Sequence, residues 1–209
     1  MKFSEEQIND LRHAVGRKQS KKRFAHTLGV EKMAAFIGEK IMPESVDKLR
    51  VAALLHDVSK EYSEAEYFLV VKKHNIILTD EDMASPALWH SITAPAVVND
   101  EFPEYADKDI LSAVYNHTVG SPDMSHFDEI ILLSDYIEEG RKYRACTDLR
   151  ERFLAEISDS EDREDCITAL HRAVASALNN TINELVSRGK SYHERTRTTL
   201  DAILAKIER

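Results

Sequence analysis

The sequence is poor in the residues that make tight turns and covalent cross-links. Its 209 residues include only 6 glycines and 5 prolines, too few for the many tight turns of a β-rich protein. Its only two cysteines, Cys146 and Cys166, are 20 positions apart, so the sequence contains no Cys-x-x-Cys motif and no second pair of cysteines. This argues against a disulfide framework and a cysteine-based zinc site. A reducing compartment, the cytoplasm, is therefore expected.

Long apolar segments are also missing. No uninterrupted run approaches the ~20 apolar residues that cross a bilayer, and residues 1–6 become acidic before any apolar stretch begins. Neither a membrane span nor a secretory signal is expected. Acidic residues outnumber basic ones, 37 against 28, for a net charge of −9. This balance argues against a nucleic-acid-binding surface and leaves open a small phosphorylated ligand held by a local cluster of cations.

What the sequence does contain is helical periodicity. Hydrophobic residues recur about every 3.6 positions in several segments. Ser4, Ser63 and Ser125 each begin a pattern typical of a capping box at a helix start, and Gly140 and Gly189 stand where helices would end. An all-α fold is therefore predicted, with helices over about 20–41, 45–58, 106–118, 125–139, 161–188 and 194–208.

Histidine and aspartate residues stand near the ends of these helices. One of the nine histidines, His56, is followed directly by Asp57 at the end of an apolar helix. Leaving such groups unpaired at the edge of a core costs several kcal/mol, whereas a divalent cation offsets that cost. Imidazole with carboxylate suits iron, manganese or zinc, and a shell without cysteine favours a catalytic site over a closed structural one. The candidate ligands are His26, His56, Asp57, His90, His117 and Asp135.

The order of His26, then His56-Asp57, then Asp135 resembles that of the HD-domain metal-dependent phosphohydrolases. Further segments narrow the resemblance to the YqeK-like subgroup, the symmetrical diadenosine tetraphosphate hydrolases: RFAHTLGV at 23–30, ALLHDVSK at 53–60, HTVG at 117–120, DYIEEGR at 135–141 and YHERT at 192–196. Two positions depart from the subgroup. Ser91 replaces a common glycine and Ser134 a common alanine, and both changes leave the ligands intact.

The resemblance implies an HD-domain helical bundle with a dinuclear metal centre. A single HD domain would span residues 1–209, with a core over about 20–140 and C-terminal helices over about 147–208 packed on it. The resemblance implies two divalent ions. Iron is usual in the subgroup, and manganese or zinc are alternatives. A homodimer is compatible with the resemblance. One metal would be held by His26, His56, Asp57 and Asp135, and the other by His90 and His117, with Asp57 bridging both.

The residue types suit hydrolysis of a phosphoanhydride, and the implied reaction converts diadenosine tetraphosphate into two ADP. Two metals ~3.5–4 Å apart activate water and clamp a phosphoryl oxygen for in-line displacement, and the carboxylate of Asp57 can reach both. Lys60 and Arg141 are expected to hold the polyphosphate and stabilise charge on the leaving ADP, so that Asp57 and Lys60 would be catalytic. The further residues expected to bind substrate are Arg23, Thr118 and Gly120.

Two alternatives stay open at this level. The same site could act on another nucleotide, such as a nucleoside monophosphate or a guanosine alarmone, with one metal and with His90 and His117 dispensable. It could also serve a non-catalytic nucleotide sensor, although a complete ligand set argues against that. Trp89 is expected to lie in the core rather than to stack on an adenine. The histidines that receive no role are His13, His74, His126, His171 and His193.

Overall fold

The computed structural model describes residues 2–208 and builds them mostly from α-helices. Helices make up 76% of the chain, and residues 2–208 contain no strand, which confirms the all-α prediction. The helices are α1 Glu5–Lys18, α2 Lys21–Ile41, α3 Val46–Leu55, α4 Glu64–His74, α5 Asp80–Met83, α6 Trp89–Glu101, α7 Lys108–Asn116, α8 His126–Ile137, α9 Arg144–Asp159, α10 Arg163–Ser187 and α11 Glu194–Ile207. Within the same residues, none of these helices is long and apolar enough to span a bilayer.

The helix starts follow the capping signals in the sequence. The side chains of Ser4, Ser63 and Ser125 each accept a hydrogen bond from a backbone N–H of the first turn, and each serine N–H is bonded in return, so all three capping boxes form. Gly189, at φ 67°, follows the end of α10 as predicted. Helix α8 ends earlier than predicted, at Ile137 rather than at about residue 139, so Gly140 does not directly follow it.

Helix α6 is one of the helices, with α1, α4, α5 and α9, for which periodicity predicted no range. Most of its residues are buried, including polar ones such as Ser91 and Thr93, so it has no polar face from which a helical repeat could be recognised. Pro95 lies inside it and further weakens a helix prediction because proline lacks a backbone N–H. The helix is therefore maintained by its surroundings rather than by an amphipathic pattern.

Helices α3 and α8 lie at the centre of the molecule. The buried residues of α3 run without interruption from Val51 to Leu55. Helix α2 packs against α3 and α8, α7 against α3, α6 and α8, and α10 against α8, α9 and α11. This packing brings together the end of α3, the end of α7, the last turn of α8 and the first turn of α6, beside the N-terminal part of α2.

A smaller apolar cluster holds the first turn of α6. Trp89 is buried with Tyr67 and Ile92, and its indole N–H donates to the carbonyl of Asp82 at 2.8 Å. Its ring centroid lies 5.2 Å from that of Phe68. Trp89 is thus a core residue, as expected, and it fixes the turn that carries the next residue, His90.

Candidate metal centre

The six predicted metal ligands converge on one region. The structure separates them into two groups, in each of which one potential ligand atom per residue lies within 4.8 Å of the others. The first group consists of His26 on α2, His56 after α3 and Asp135 on α8. The second group consists of Asp57 after α3, His90 on α6 and His117 after α7.

The carboxylate of Asp57 lies between two pairs of histidines. Its Oδ2 is 3.7 Å from Nε2 of His26 and 3.4 Å from Nε2 of His56. Its Oδ1 is 3.3 Å from Nε2 of His90 and 3.7 Å from Nε2 of His117. Each oxygen therefore faces one pair of rings, the arrangement that a carboxylate bridging two cations requires.

Backbone carbonyls orient two of the rings. Nδ1 of His56 lies 2.6 Å from the carbonyl oxygen of Ala53, and Nδ1 of His117 lies 2.8 Å from that of Val114. Because a carbonyl oxygen can only accept, Nδ1 of each ring is the donor. Nε2 is therefore the nitrogen of each ring that can bind a metal, and it lies on the side of Asp57; Nε2 of His117 also lies 3.0 Å from Nε2 of His90.

Glu138, to which the sequence analysis assigned no role, orients a third ring. This buried residue places Oε1 at 3.1 Å from Nδ1 of His26, and its Oε2 accepts from the N–H of Gly140 at 2.5 Å. Gly29 and Gly140 leave room for the carboxylate, because a Cβ at either position would collide with it. The available signal was its place three residues after Asp135, within the DYIEEGR segment.

Replacing Glu138 by Gln is expected to weaken metal binding by ~10–100-fold, the usual cost of removing an outer partner of a metal-bound histidine. Competition with a chromogenic chelator measures the affinity. Glu139→Gln is the matched control, because Glu139 is exposed and forms a surface pair with Lys32. An unchanged affinity in Glu138→Gln would contradict the orienting role.

The donor atoms fit divalent cations. Nε2 of His26 and Nε2 of His56 are buried and have no hydrogen-bond partner within residues 2–208, although buried polar atoms are normally paired. Nε2 of His56 lies 3.4 Å from Oδ2 of Asp57, and Nε2 of His26 lies between the carboxylates of Asp135, at 3.0 Å, and Asp57, at 3.7 Å. Imidazole nitrogens combined with carboxylate oxygens suit iron, manganese or zinc, so the residues present match a divalent-metal site.

Charges in the centre shift the protonation of its groups. Burial opposes ionisation of Asp57, but its electrostatic contacts with His56 and the neighbouring histidines outweigh burial and hold the pKa of Asp57 well below its usual range. Burial also opposes protonation of His26, yet its contacts with the carboxylates of Asp135 and Glu138, at 3.0 and 3.1 Å, raise its pKa to about 9. A cation bound at His26 must therefore displace a proton.

Two arginines predicted to bind substrate contact the ligand carboxylates. Nη1 of Arg23 lies 2.7 Å from Oδ2 of Asp57. Nη2 of Arg141 lies 2.5 Å from Oδ1 of Asp135, and its Nε donates to the carbonyl of the same residue at 3.0 Å. Both guanidinium groups are thus held at the edge of the centre, where a phosphate bound to the metals would meet them.

Lys60 and Thr118 flank the ring of His90. Nζ of Lys60 is 3.1 Å from Nε2 of His90, and Oγ1 of Thr118 is 3.4 Å from the same nitrogen. Burial lowers the pKa of Lys60, against the attraction of Asp57. The centre therefore has an ammonium group and a hydroxyl on the side of the second ligand group.

The backbone N–H that Gly120 was expected to offer to a substrate has a partner inside the protein. This N–H donates to the carbonyl of Asn116 at 2.9 Å, so it is not free to bind substrate. Gly120 has a φ of 72°, in the left-handed region that favours glycine, and a Cβ here would meet the side chain of Thr199 on α11. Gly120 therefore serves the turn after α7 and its close contact with α11.

A cavity of about 270 Å³ opens beside the centre. At one end it is lined by His117, Thr118, Asp135 and Arg141. Its remaining walls are largely aromatic and apolar and come from α8, α9, α10 and the segment between α8 and α9. The residues of these walls are Leu132, Tyr136, Tyr143, Cys146, Ala177 and Leu178, together with the polar Thr181 and Glu184.

Comparison with known proteins places this site in a family. The family model described as "HD domain" matches residues 23–160.

Three relatives carry the name bis(5'-nucleosyl)-tetraphosphatase, symmetrical. The protein from Bacillus subtilis is 29% identical over 170 residues, which cover 80% of this chain and 82% of that protein. The protein from Halalkalibacterium halodurans is 28% identical over 184 residues, with 87% and 89% covered. That from Staphylococcus aureus is 26% identical over 146 residues, with 69% and 73% covered.

A solved structure shows the same fold. It is a protein from Clostridium acetobutylicum described as a predicted HD superfamily hydrolase involved in NAD metabolism. The two structures superpose with a TM-score of 0.80 at 26% sequence identity. The match covers 99% of this chain and 100% of the Clostridium acetobutylicum chain. Together with the family model and the three relatives, it confirms the prediction of an HD-domain hydrolase with YqeK-like relatives. The chain belongs to the HD-domain family.

Proposed function

We propose that this chain is a dinuclear-metal hydrolase that cleaves dinucleoside polyphosphates symmetrically, converting diadenosine tetraphosphate into two ADP. The observation that carries the proposal is the position of Asp57, whose two oxygens face two different pairs of histidine nitrogens. The names of the three relatives support the choice of substrate. The residues that would hold the two cations are His26, His56, Asp57 and Asp135 for one and Asp57, His90 and His117 for the other.

The reaction needs charge stabilisation more than covalent chemistry from the protein. Two divalent cations, iron by resemblance to the subgroup, would supply Lewis-acid stabilisation of phosphoryl charge and activation of water. The water oxygen forms a bond to a central phosphorus, the central P–O–P bond breaks, and each half leaves as ADP with release of the water protons. Arg23 and Arg141 would orient the polyphosphate by charge-assisted hydrogen bonds, and Lys60 would offset the charge of the leaving ADP.

The cavity beside the centre supports a nucleotide as the ligand. Its polar end contains Thr118 and Arg141, and its other walls include the rings of Tyr136 and Tyr143. A phosphate group fits the first end and a nucleobase the second, because aromatic and apolar walls bind the faces of a base. Its volume of about 270 Å³ is small for a whole ligand site, so we assign it to one half of the symmetrical substrate.

Replacing Lys60 by Gln is expected to lower kcat/KM by ~10²-fold while the metal content is unchanged, because the substitution removes a positive charge aimed at the reacting phosphates. Steady-state turnover and elemental analysis of the same preparation measure both quantities. Lys73→Gln is the control, since Lys73 is exposed and pairs with Asp100 on the surface. Loss of metal from Lys60→Gln would instead make Lys60 part of the support of the centre.

Product analysis tests the proposed reaction. Metal-loaded protein is incubated with diadenosine tetraphosphate, and the nucleotides are separated by ion-exchange chromatography. ADP as the nucleotide product is the expected result. Formation of AMP with ATP, or no turnover by protein that holds two metals per chain, would contradict symmetrical cleavage. Parallel reactions with AMP and with a guanosine alarmone show whether the site prefers one of the alternative nucleotides.

A further inference from the structure

A third group of metal-capable side chains lies outside the centre. His126 and Glu129 stand three positions apart at the start of α8 and so share one face of the helix. His171 belongs to α10, which packs against α8. One potential ligand atom from each of the three residues lies within 4.8 Å of the others. The group therefore joins two helices by side chains of the types that bind divalent cations.

Two buried atoms of this group lack a hydrogen-bond partner. Glu129 is 0% exposed and His171 is 9% exposed. Neither Oε2 of Glu129 nor Nε2 of His171 has a partner within residues 2–208, although the two atoms lie only 3.3 Å apart. A buried carboxylate oxygen and a buried ring nitrogen that face each other without a hydrogen bond are costly, and a shared cation would satisfy both.

We propose that His126, Glu129 and His171 form a third divalent-cation site, suited to zinc and separate from the dinuclear centre. Tetrahedral zinc with bonds of about 2.0–2.1 Å separates neighbouring ligand atoms by ~3.3 Å, which matches the observed distance between Glu129 and His171. Two histidines and one glutamate, with water as the fourth ligand, form a donor set that zinc accepts. The partial exposure of His126 leaves access for that water.

Lys206 is the positively charged side chain next to the proposed site. Its Nζ donates to Oε1 of Glu129 at 2.6 Å and to the carbonyl of Met124 at 2.9 Å. It therefore uses the other carboxylate oxygen and leaves Oε2 for the cation, so that it orients Glu129 as an outer partner does. Its charge lowers the affinity of the site, and binding is expected to be weaker than at the dinuclear centre.

An ion at this position would fix the start of α8 against α10. The same helix carries Asp135 in its last turn, ~9 Å further along the axis. Because Lys206 belongs to α11, the group also contacts a third helix. The role of the site is therefore structural: it would hold the C-terminal helices on the helix that supplies one ligand of the centre.

Zinc content per chain tests this site. Full-length protein is stripped with a chelator, loaded with zinc, dialysed and analysed for metal, and its thermal unfolding is followed with and without zinc. With the dinuclear centre also filled, the unsubstituted protein is expected to bind about three ions, and His126→Gln and His171→Gln about one fewer each, with a smaller rise of Tm on zinc addition. His13→Gln is the matched control, because His13 is exposed and outside every group described here.

The comparison between variants decides the outcome whatever the occupancy of the dinuclear centre. Equal zinc content and an equal rise of Tm in His126→Gln and in the unsubstituted protein would overturn the proposal. If His171→Gln does not fold, His126→Gln decides alone, since His126 is only partly buried. Cobalt loading gives an independent readout: a tetrahedral visible absorption that is weaker in His126→Gln than in the unsubstituted protein supports the site, and equal absorption in the two proteins contradicts it.

Discussion

Replacing Asp57 by Asn is expected to remove both metals from the centre and to lower kcat/KM for diadenosine tetraphosphate by ~10³-fold or more. One carboxylate serves both ligand groups, with each oxygen facing two ring nitrogens. An amide has one oxygen and no charge, so it can neither bridge two cations nor offset their charge. Metal analysis of the purified variant and steady-state turnover measure the two effects.

Asp107→Asn is the matched control for the loss of a partly buried carboxylate. Asp107 pairs with Lys48 at 2.9 Å and caps the N-terminus of α7, a position that asparagine also serves well. We expect it to keep its metals and most of its activity. Two metals retained by a folded Asp57→Asn protein would rule out the bridging role.

Replacing both His90 and His117 by Gln is expected to remove one metal and to leave the other. These residues contribute the nitrogens of one ligand group, whereas His26, His56 and Asp135 form the other group and are untouched. Activity should fall by ~10²–10³-fold, because one of the two charges that stabilise the transition state is lost. Elemental analysis distinguishes one metal from two, and His26→Gln provides the reciprocal test of the other group.

The same experiment separates two kinds of HD-domain chemistry. A one-metal phosphohydrolase would need the first ligand group and would tolerate the loss of His90 and His117. Full activity with unchanged metal content in the double variant would therefore exclude the dinuclear model. It would favour a mononuclear reaction on another nucleotide.

The candidate metal ligands could be recognised in the sequence because their residue types are unusual at their positions. His56 and Asp57 end an apolar helix, where unpaired polar groups are costly, and the order of the remaining ligands is that of a recognisable family. Their division into two groups came from the resemblance. Spacing along the chain does not tell which oxygen of Asp57 faces which ring, because that depends on how five elements pack.

Other features depended on contacts that a linear pattern does not contain. Glu138 contacts His26, which is 112 positions away in the sequence, and its place three residues after Asp135 does not by itself predict that contact. The N–H of Gly120 was assigned to substrate because the turn that uses it could not be foreseen. His126 and His171 gave no motif, since they meet only through the packing of α8 on α10.

The limited space around Glu138 couples positions 29, 138 and 140. A methyl group at position 29 would press on a carboxylate already held by His26 and by the N–H of Gly140. A shorter acid at position 138 would relieve that pressure but would no longer reach His26. Substitutions at 29, 138 and 140 should therefore have free-energy effects that do not add. Without a glutamate at position 138, a side chain at position 29 or 140 no longer collides with its carboxylate. Across homologous sequences, the residues at 29, 138 and 140 are therefore expected to change together.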